Sequence, residues 1–227
     1  PGRNPVLVAK ELATLDRLSG GRLLPAFGLG AVDPREQQAF GVERGERAAW
    51  FDESLPLVRR LWTEDRVDHD GPRYHFEGVS VRPRLAQHPP DVWLGGIAPA
   101  ELRRIGRLGD GWLPSFVGAT EAAAGGEVVE RTAAKHGREI GPEHFGALLP
   151  YSFEPVPDEV LALLAARRPG TDPADLVAVG PDVLTRRIGE FVEAGFSKFV
   201  AVPLSDPAGP IGEHLAELAG IVRPLET

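Results

Sequence analysis

The sequence contains no cysteine, no methionine and only three lysines, Lys10, Lys135 and Lys198. Without cysteine there is no disulfide framework, no thiolate nucleophile and no Cys-ligated zinc or iron–sulfur centre. Without methionine the chain opens on Pro1, so a segment upstream is expected. Arginine supplies all but three of the 25 basic residues. With abundant Ala, Gly and Pro, that bias reads as GC-rich coding rather than as function. No apolar run reaches the roughly 18 residues that a membrane helix needs, and no signal peptide is visible. Positive charge is also in short supply, giving a formal net charge of −8. Nucleic acid as main partner wants the opposite sign. What is present is 227 residues, 42% hydrophobic and 26% charged. That is the composition of a soluble globular domain, and one domain over 1–227 is expected.

Short apolar strands alternate with amphipathic helices along the chain. Asn4-Pro5 is a helix-opening pair, and Ser19-Gly20-Gly21 stops the run. Residues 45–62 place Ala48, Phe51, Leu55, Val58 and Trp62 on one helical face. Further helices are expected over 99–108, 119–136, 157–167, 181–194 and 211–222, with Gly125-Gly126 a weak point in the second of these. Strands are expected at about 22–28, 92–95, 110–114, 147–151 and 198–203. Two excursions interrupt the rhythm, at about 64–90 and 152–180. In the first, the Asp70-Gly71 turn and Tyr74, Phe76, Val79 and Val81 suit an exposed hairpin. Five strands separated by helices imply a parallel sheet covered by helices. Both a doubly wound open sheet and a (β/α)8 barrel satisfy that pattern.

Gly95-Gly96-Ile97-Ala98-Pro99 is the most informative local feature. It joins a strand to a helix start, where free N–H groups and the positive dipole end favour an anion such as phosphate. The plain alternative is a tight turn before a helix-starting proline. Gly28-Leu29-Gly30 begins like a dinucleotide fingerprint, but its sixth position is Asp33, which leaves a strand-end turn as the better account. His69 and His75 flank the hairpin beside Asp68 and Asp70, and an exposed polar ribbon suits them better than a metal site. His88, His136 and His144 are isolated and read as surface residues. Glu101, Arg103, Arg104 and Arg107 read as a solvated helix face, and Trp62, Trp93 and Trp112 as core or interface rather than cofactor stacking. No GxSxG elbow, HExxH helix or GxxxxGK[ST] loop occurs.

Several runs resemble the bacterial luciferase-like monooxygenases. They are the stretch from Asn4 to Arg22 with the Gly28-Leu29-Gly30 turn, residues 44–62, the hairpin HDGPRYHFEGVSVRP, and Gly180 through Phe196. The most specific is VWLGGIAPAELRRIGRLGDGWLP, ending at Pro114. The likeness is nearest to the branch that uses coenzyme F-420, a deazaflavin, with FMN the alternative cofactor. It implies a (β/α)8 TIM barrel with insertions, of which the five strands would be the last five. The first three would lie upstream, along with the residues expected to do acid–base work, so no catalytic residue is assigned. The resemblance puts the cofactor phosphate against Gly95, Gly96, Ile97 and Ala98. It adds Asn4, which also suits plain helix capping, and more loosely Ser115, as cofactor contacts. It further implies a cytoplasmic homodimer acting on a small molecule, with no metal, nucleic acid or membrane partner.

The expected activity is hydride transfer between coenzyme F-420 and a small organic substrate. The rivals are an FMN-dependent monooxygenase using O2, and a non-catalytic flavin-binding relative or scaffold.

Overall fold

The computed structural model of the chain describes residues 2–30, 33–87, 89–204 and 209–225. They form two compact units, Pro1–Gly96 with Arg107–Asp110, and Ile97–Gly106 with Gly111–Thr227. His88, singled out above, lies outside the described residues. Among the described residues no helix is long and apolar enough to cross a membrane.

In the first unit, helix α1 (Pro5–Ser19) starts at Asn4, whose side chain accepts the Val6 N–H at 2.9 Å. It ends at Gly20, in the left-handed region at φ 68°. Strand β1 is Ala26–Phe27, shorter than the apolar run around it because Pro25 has no N–H to place in a ladder. Helix α2 (Pro34–Phe40), capped by Asp33, was not expected. Helix α3 (Arg47–Thr63) buries Phe51, Leu55, Val58 and Trp62 as its periodicity predicts. The Trp62 indole N–H donates to the Ala9 carbonyl at 3.0 Å, tying α3 to α1. Strands β2 (Val67–Asp70) and β3 (His75–Val79) form the antiparallel hairpin. Strand β4 (Trp93–Leu94) pairs in parallel with β1, Ala26 opposite Trp93 and Phe27 opposite Leu94.

The hairpin corrects one expectation. Tyr74 and Val81 are buried rather than exposed. The cause is Glu53 on α3. Its carboxylate accepts the backbone N–H groups of Arg73 and Tyr74 at 3.3 and 3.2 Å and faces His69 Nε2 at 3.0 Å. That pulls the ribbon onto α3, where Tyr74 meets Trp50 edge-to-face at 5.5 Å.

In the second unit, helix α4 is Pro99–Leu108, with its residues up to Gly106 in this unit. Strand β5 (Gly111–Trp112), helix α5 (Ala119–Lys135) and strand β6 (Gly146–Ser152) follow. The second excursion carries helices α6 (Asp158–Arg167) and α7 (Pro173–Leu176) and strand β7 (Ala178–Val179). Of these, α7 and β7 are additions to the expected elements. Helix α8 (Pro181–Glu193), strand β8 (Lys198–Pro203) and helix α9 (Ile211–Val222) complete the unit. Strand order is β7–β6–β8, all parallel, and parallel bridges join Trp112 to Phe145 and Ser115 to Leu148. The core is aromatic, with Trp112, Phe145, Phe191 and Phe196 in mutual contact at 5.5–6.4 Å.

Helix α5 is unbroken at Gly125-Gly126. A Cβ on Gly125 would stand 2.4 Å from Trp112 Cη2, and one on Gly106 2.5 Å from the Val129 carbonyl oxygen. Both glycines are therefore packing residues. The parallel α/β architecture is as expected, and the described strand pairings do not close into a ring.

Candidate cofactor and substrate site

Parallel strands place their carboxyl ends side by side, which is where α/β folds build ligand sites. In the first unit these ends are Phe27 and Leu94. The Gly95 N–H donates to the Phe27 carbonyl at 2.8 Å, extending the ladder by one step past β4. Gly96 then turns at φ 122°, a backbone state that residues with a side chain rarely adopt. Beside this end lies a cavity of about 240 Å³. Its lining includes Phe27, the Gly28–Gly30 turn and the inner face of α3. Arg47, the first residue of α3, is only 6% exposed, and its Nη1 donates to the Leu29 carbonyl at 3.4 Å. A buried guanidinium thus contacts the turn that lines the cavity.

At the start of the second unit, the N–H groups of Ile97 and Ala98 both point at Glu101 Oε2, each at 3.0 Å. This is half of a capping box, in which an acidic side chain in the first turn reaches back to the helix start. The arrangement corrects the solvated-face reading of α4. Glu101 occupies backbone donors, Arg104 is buried, and Arg107 pairs with Asp52 at 3.0 Å. It also tests the phosphate expectation physically. These amides already hold an anionic oxygen at hydrogen-bond distance, so their geometry suits an oxyanion. A phosphate there would take the place of the Glu101 carboxylate.

The other expected contacts are distributed. Asn4 is exposed and its oxygen is used in capping α1. Its neighbours Arg3 and Pro5, rather than Asn4 itself, line the cavity. Asn4, Gly95 and Gly96 belong to the first unit, and Ile97, Ala98 and Ser115 to the second. Ser115 is half-buried just past β5. The next residue, Phe116, has φ 58°. A bulky residue in the left-handed region costs about 1–3 kcal/mol and persists only where the surroundings impose it. Phe116 is held by packing against the cluster of Leu164, Leu176 and Val177, and by the Arg167 guanidinium 4.7 Å from its ring centre. No sequence signal marks this strain, and none marks Arg47. Glu101 was detectable as an acidic residue three positions after Ala98.

Titratable groups elsewhere serve the scaffold. Burial raises the Asp16 carboxyl, but hydrogen bonds from the Gln87 side chain and the Gln87 and Ala86 N–H groups outweigh it and hold it below its ordinary value. Burial likewise opposes, and His69 with the Arg73 and Tyr74 N–H groups overcomes, so that Glu53 is also lowered. Burial pushes the Tyr151 phenol up, assisted by the nearby Glu217 charge. Among the described residues no cluster of three or more His, Asp or Glu has metal-binding geometry.

Residues 1–197 match the family model described as luciferase-like monooxygenase. The chain is 30% identical over 203 residues to a phthiodiolone/phenolphthiodiolone dimycocerosates ketoreductase of Mycobacterium sp. (strain JLS), covering 86% of this chain and 51% of that protein. It is 34% identical over 116 residues to an F420-dependent glucose-6-phosphate dehydrogenase of Intrasporangium calvum, covering 48% of this chain and 34% of that enzyme. The chain thus spans about half the length, or less, of these curated relatives. Among solved structures, monooxygenase RslO1 from Streptomyces bottropensis superposes with a TM-score of 0.75 at 25% identity, over 97% of this chain and 72% of that one.

Proposed function

The chain belongs to the luciferase-like monooxygenase family, and from that premise we propose that it serves an oxidoreductase moving a hydride between coenzyme F-420 and a small organic substrate. The observation that carries this reading is the Gly95–Ala98 turn. It leaves the end of a buried strand, and its last two N–H groups already bind a carboxylate oxygen. A cofactor phosphate presents the same kind of oxygen to the same donors. Gly95 and Gly96 let it approach the backbone, and Ile97 and Ala98 supply N–H donors. Asn4 and Ser115 are proposed as further contacts. The deazaflavin, when bound, supplies the hydride chemistry, and the protein binds it, orients it and keeps water away. The relatives named for F420 dependence and for ketone reduction support this choice.

A second reading is an FMN-dependent monooxygenase, and the likeness to the monooxygenase RslO1 favours its monooxygenase part. Titration of the protein with coenzyme F-420 and with FMN decides between them. Saturable F-420 binding supports the first reading, and binding of FMN alone supports the second. Binding of neither sinks both and favours a non-catalytic scaffold. The proposal includes a cytoplasmic homodimer acting on a small molecule, and light scattering checks the dimer.

A further inference from the structure

Helix α1 carries apolar side chains on two sides. One side buries Pro5, Ala9 and Ala13. On the opposite side Leu7, Leu15 and Leu18, at i, i+8 and i+11, lie along one stripe and are 51–79% exposed. An ordinary surface helix turns polar residues outward. Lys10 and Arg17 flank the stripe along one edge. The Lys10 ammonium donates to the Arg82 carbonyl at 3.0 Å, and neither Lys10 nor Arg17 has an ion partner among the described residues. Glu11, within the stripe, is neutralised by Arg3. In the second unit, helix α9 shows the same combination with the opposite sign. His214 holds one side of it to Tyr151, while Ile211 and Leu215 stand 60% and 54% exposed on another. Glu213 and Glu217 are exposed, and neither has an ion partner among the described residues. No Lys or Arg lies within the helix.

We propose that α1 of one copy of this chain docks on α9 of another. A single exposed leucine needs no explanation, but a stripe of three with an apolar pair to match it marks an interaction surface. Each face lacks what the other supplies. The α1 leucines cover Ile211 and Leu215, and Lys10 and Arg17 come opposite Glu213 and Glu217. Burial of the apolar side chains provides affinity, and the charges select the partner. Pairing like with like fails on those charges, because α9 on α9 sets acid against acid and α1 on α1 sets base against base. An unrelated partner would have to bring a basic, apolar helix face, which the chain itself already presents. The two faces differ, so the contact is heterologous and every copy offers both halves of it. This specifies the surface of the homodimer proposed above and is independent of the cofactor assignment.

Sedimentation velocity of the whole 227-residue chain over a concentration series tests the pairing. The chain is expected to self-associate. Leu15→Lys on α1 and Leu215→Glu on α9 are each expected to weaken association at least about ten-fold, the worth of one buried leucine. Both positions are exposed, so thermal melts matching wild type are expected to show that the fold is kept. An equimolar mixture of the two variants is expected to associate again, because each retains the face that the other has lost. Arg17→Glu is expected to weaken association, and Glu217→Arg in the same chain to restore it. Association that persists in just one of the two leucine variants means like-with-like pairing and overturns the proposal. So does a mixture that stays dissociated. Association untouched by either variant keeps the homodimer and removes this pairing, whereas a wild-type chain that is monomeric throughout removes both. Titration of the same preparation with coenzyme F-420 reads the cofactor assignment separately.

Discussion

The Asp16 carboxylate accepts the Gln87 side-chain amide at 2.7 Å across 71 residues of sequence. The same carboxylate accepts the Ala86 and Gln87 backbone N–H groups, and the Gln87 amide goes on to the Leu23 carbonyl at 2.7 Å. One buried acid at the end of α1 thus anchors the return of the first excursion. Asp16→Asn is expected to cost about 1–3 kcal/mol near neutral pH, the range for losing a charged acceptor in a buried network. Urea unfolding of wild type and variant measures it.

The pH dependence follows from the sign of the shift. The folded-state pKa of Asp16 is depressed, so its contribution is fully present above the unfolded value, about 3.9. It disappears as pH falls through the lower folded value. The stability gap between wild type and Asp16→Asn is therefore expected to be constant from pH 5 upward and to narrow below about pH 4. A gap that widened in acid would contradict this.

Glu101 is expected to show opposite effects on folding and on cofactor binding. Glu101→Ala removes the carboxylate from the Ile97 and Ala98 amides, at a cost of roughly 0.5–1 kcal/mol in stability. The same change frees those donors, so affinity for F-420 or FMN is expected to rise. Thermal melts and cofactor titration on one preparation read both. A fall in affinity would mean that the phosphate lies elsewhere.

The aromatic core of the second unit supports the sheet. Phe196, 3% exposed, touches Trp112, Phe145 and Phe191. Phe196→Ala is expected to destabilise by about 3–5 kcal/mol, transfer and cavity costs together. Differential scanning calorimetry checks it.

Tyr151 reaches His214 on α9 with 2.5 Å between Oη and Nε2, and the two rings stack at 5.7 Å. No described residue of α9 is fully buried, and His214 ties the helix to Tyr151 and Phe153. Tyr151→Phe is expected to speed amide exchange in α9 more than in β6, a pattern that hydrogen-exchange mass spectrometry resolves.

The parallel α/β pattern was legible because burial imposes periodicity. Leu55, Val58 and Trp62 repeat at helical spacing because one face of α3 is covered. The strand–Gly95–Gly96–helix turn was legible because glycine and proline are local signals. What stayed hidden depends on distant partners. Nothing near Tyr74 in sequence announces that Glu53, on another element, binds its backbone. Nothing near Arg47 says that its guanidinium will line a cavity and reach the Leu29 carbonyl, or near Phe116 that packing will hold it in a left-handed state. Helix α2 was missed because it is short, although Asp33-Pro34 is a fair start signal.

The close approaches at Gly106 and Gly125 divide this chain's helical glycines for anyone seeking a hardier variant. Replacing a helical glycine by alanine ordinarily stiffens the unfolded chain and raises stability. At Gly106 and Gly125 the new methyl would collide with a backbone carbonyl and with an indole ring, so the usual gain reverses. At Gly189, Gly212 and Gly220 nothing lies within 4 Å of the added carbon. Thermostabilisation of this protein should therefore begin on α8 and α9 and leave Gly106 and Gly125 as they are.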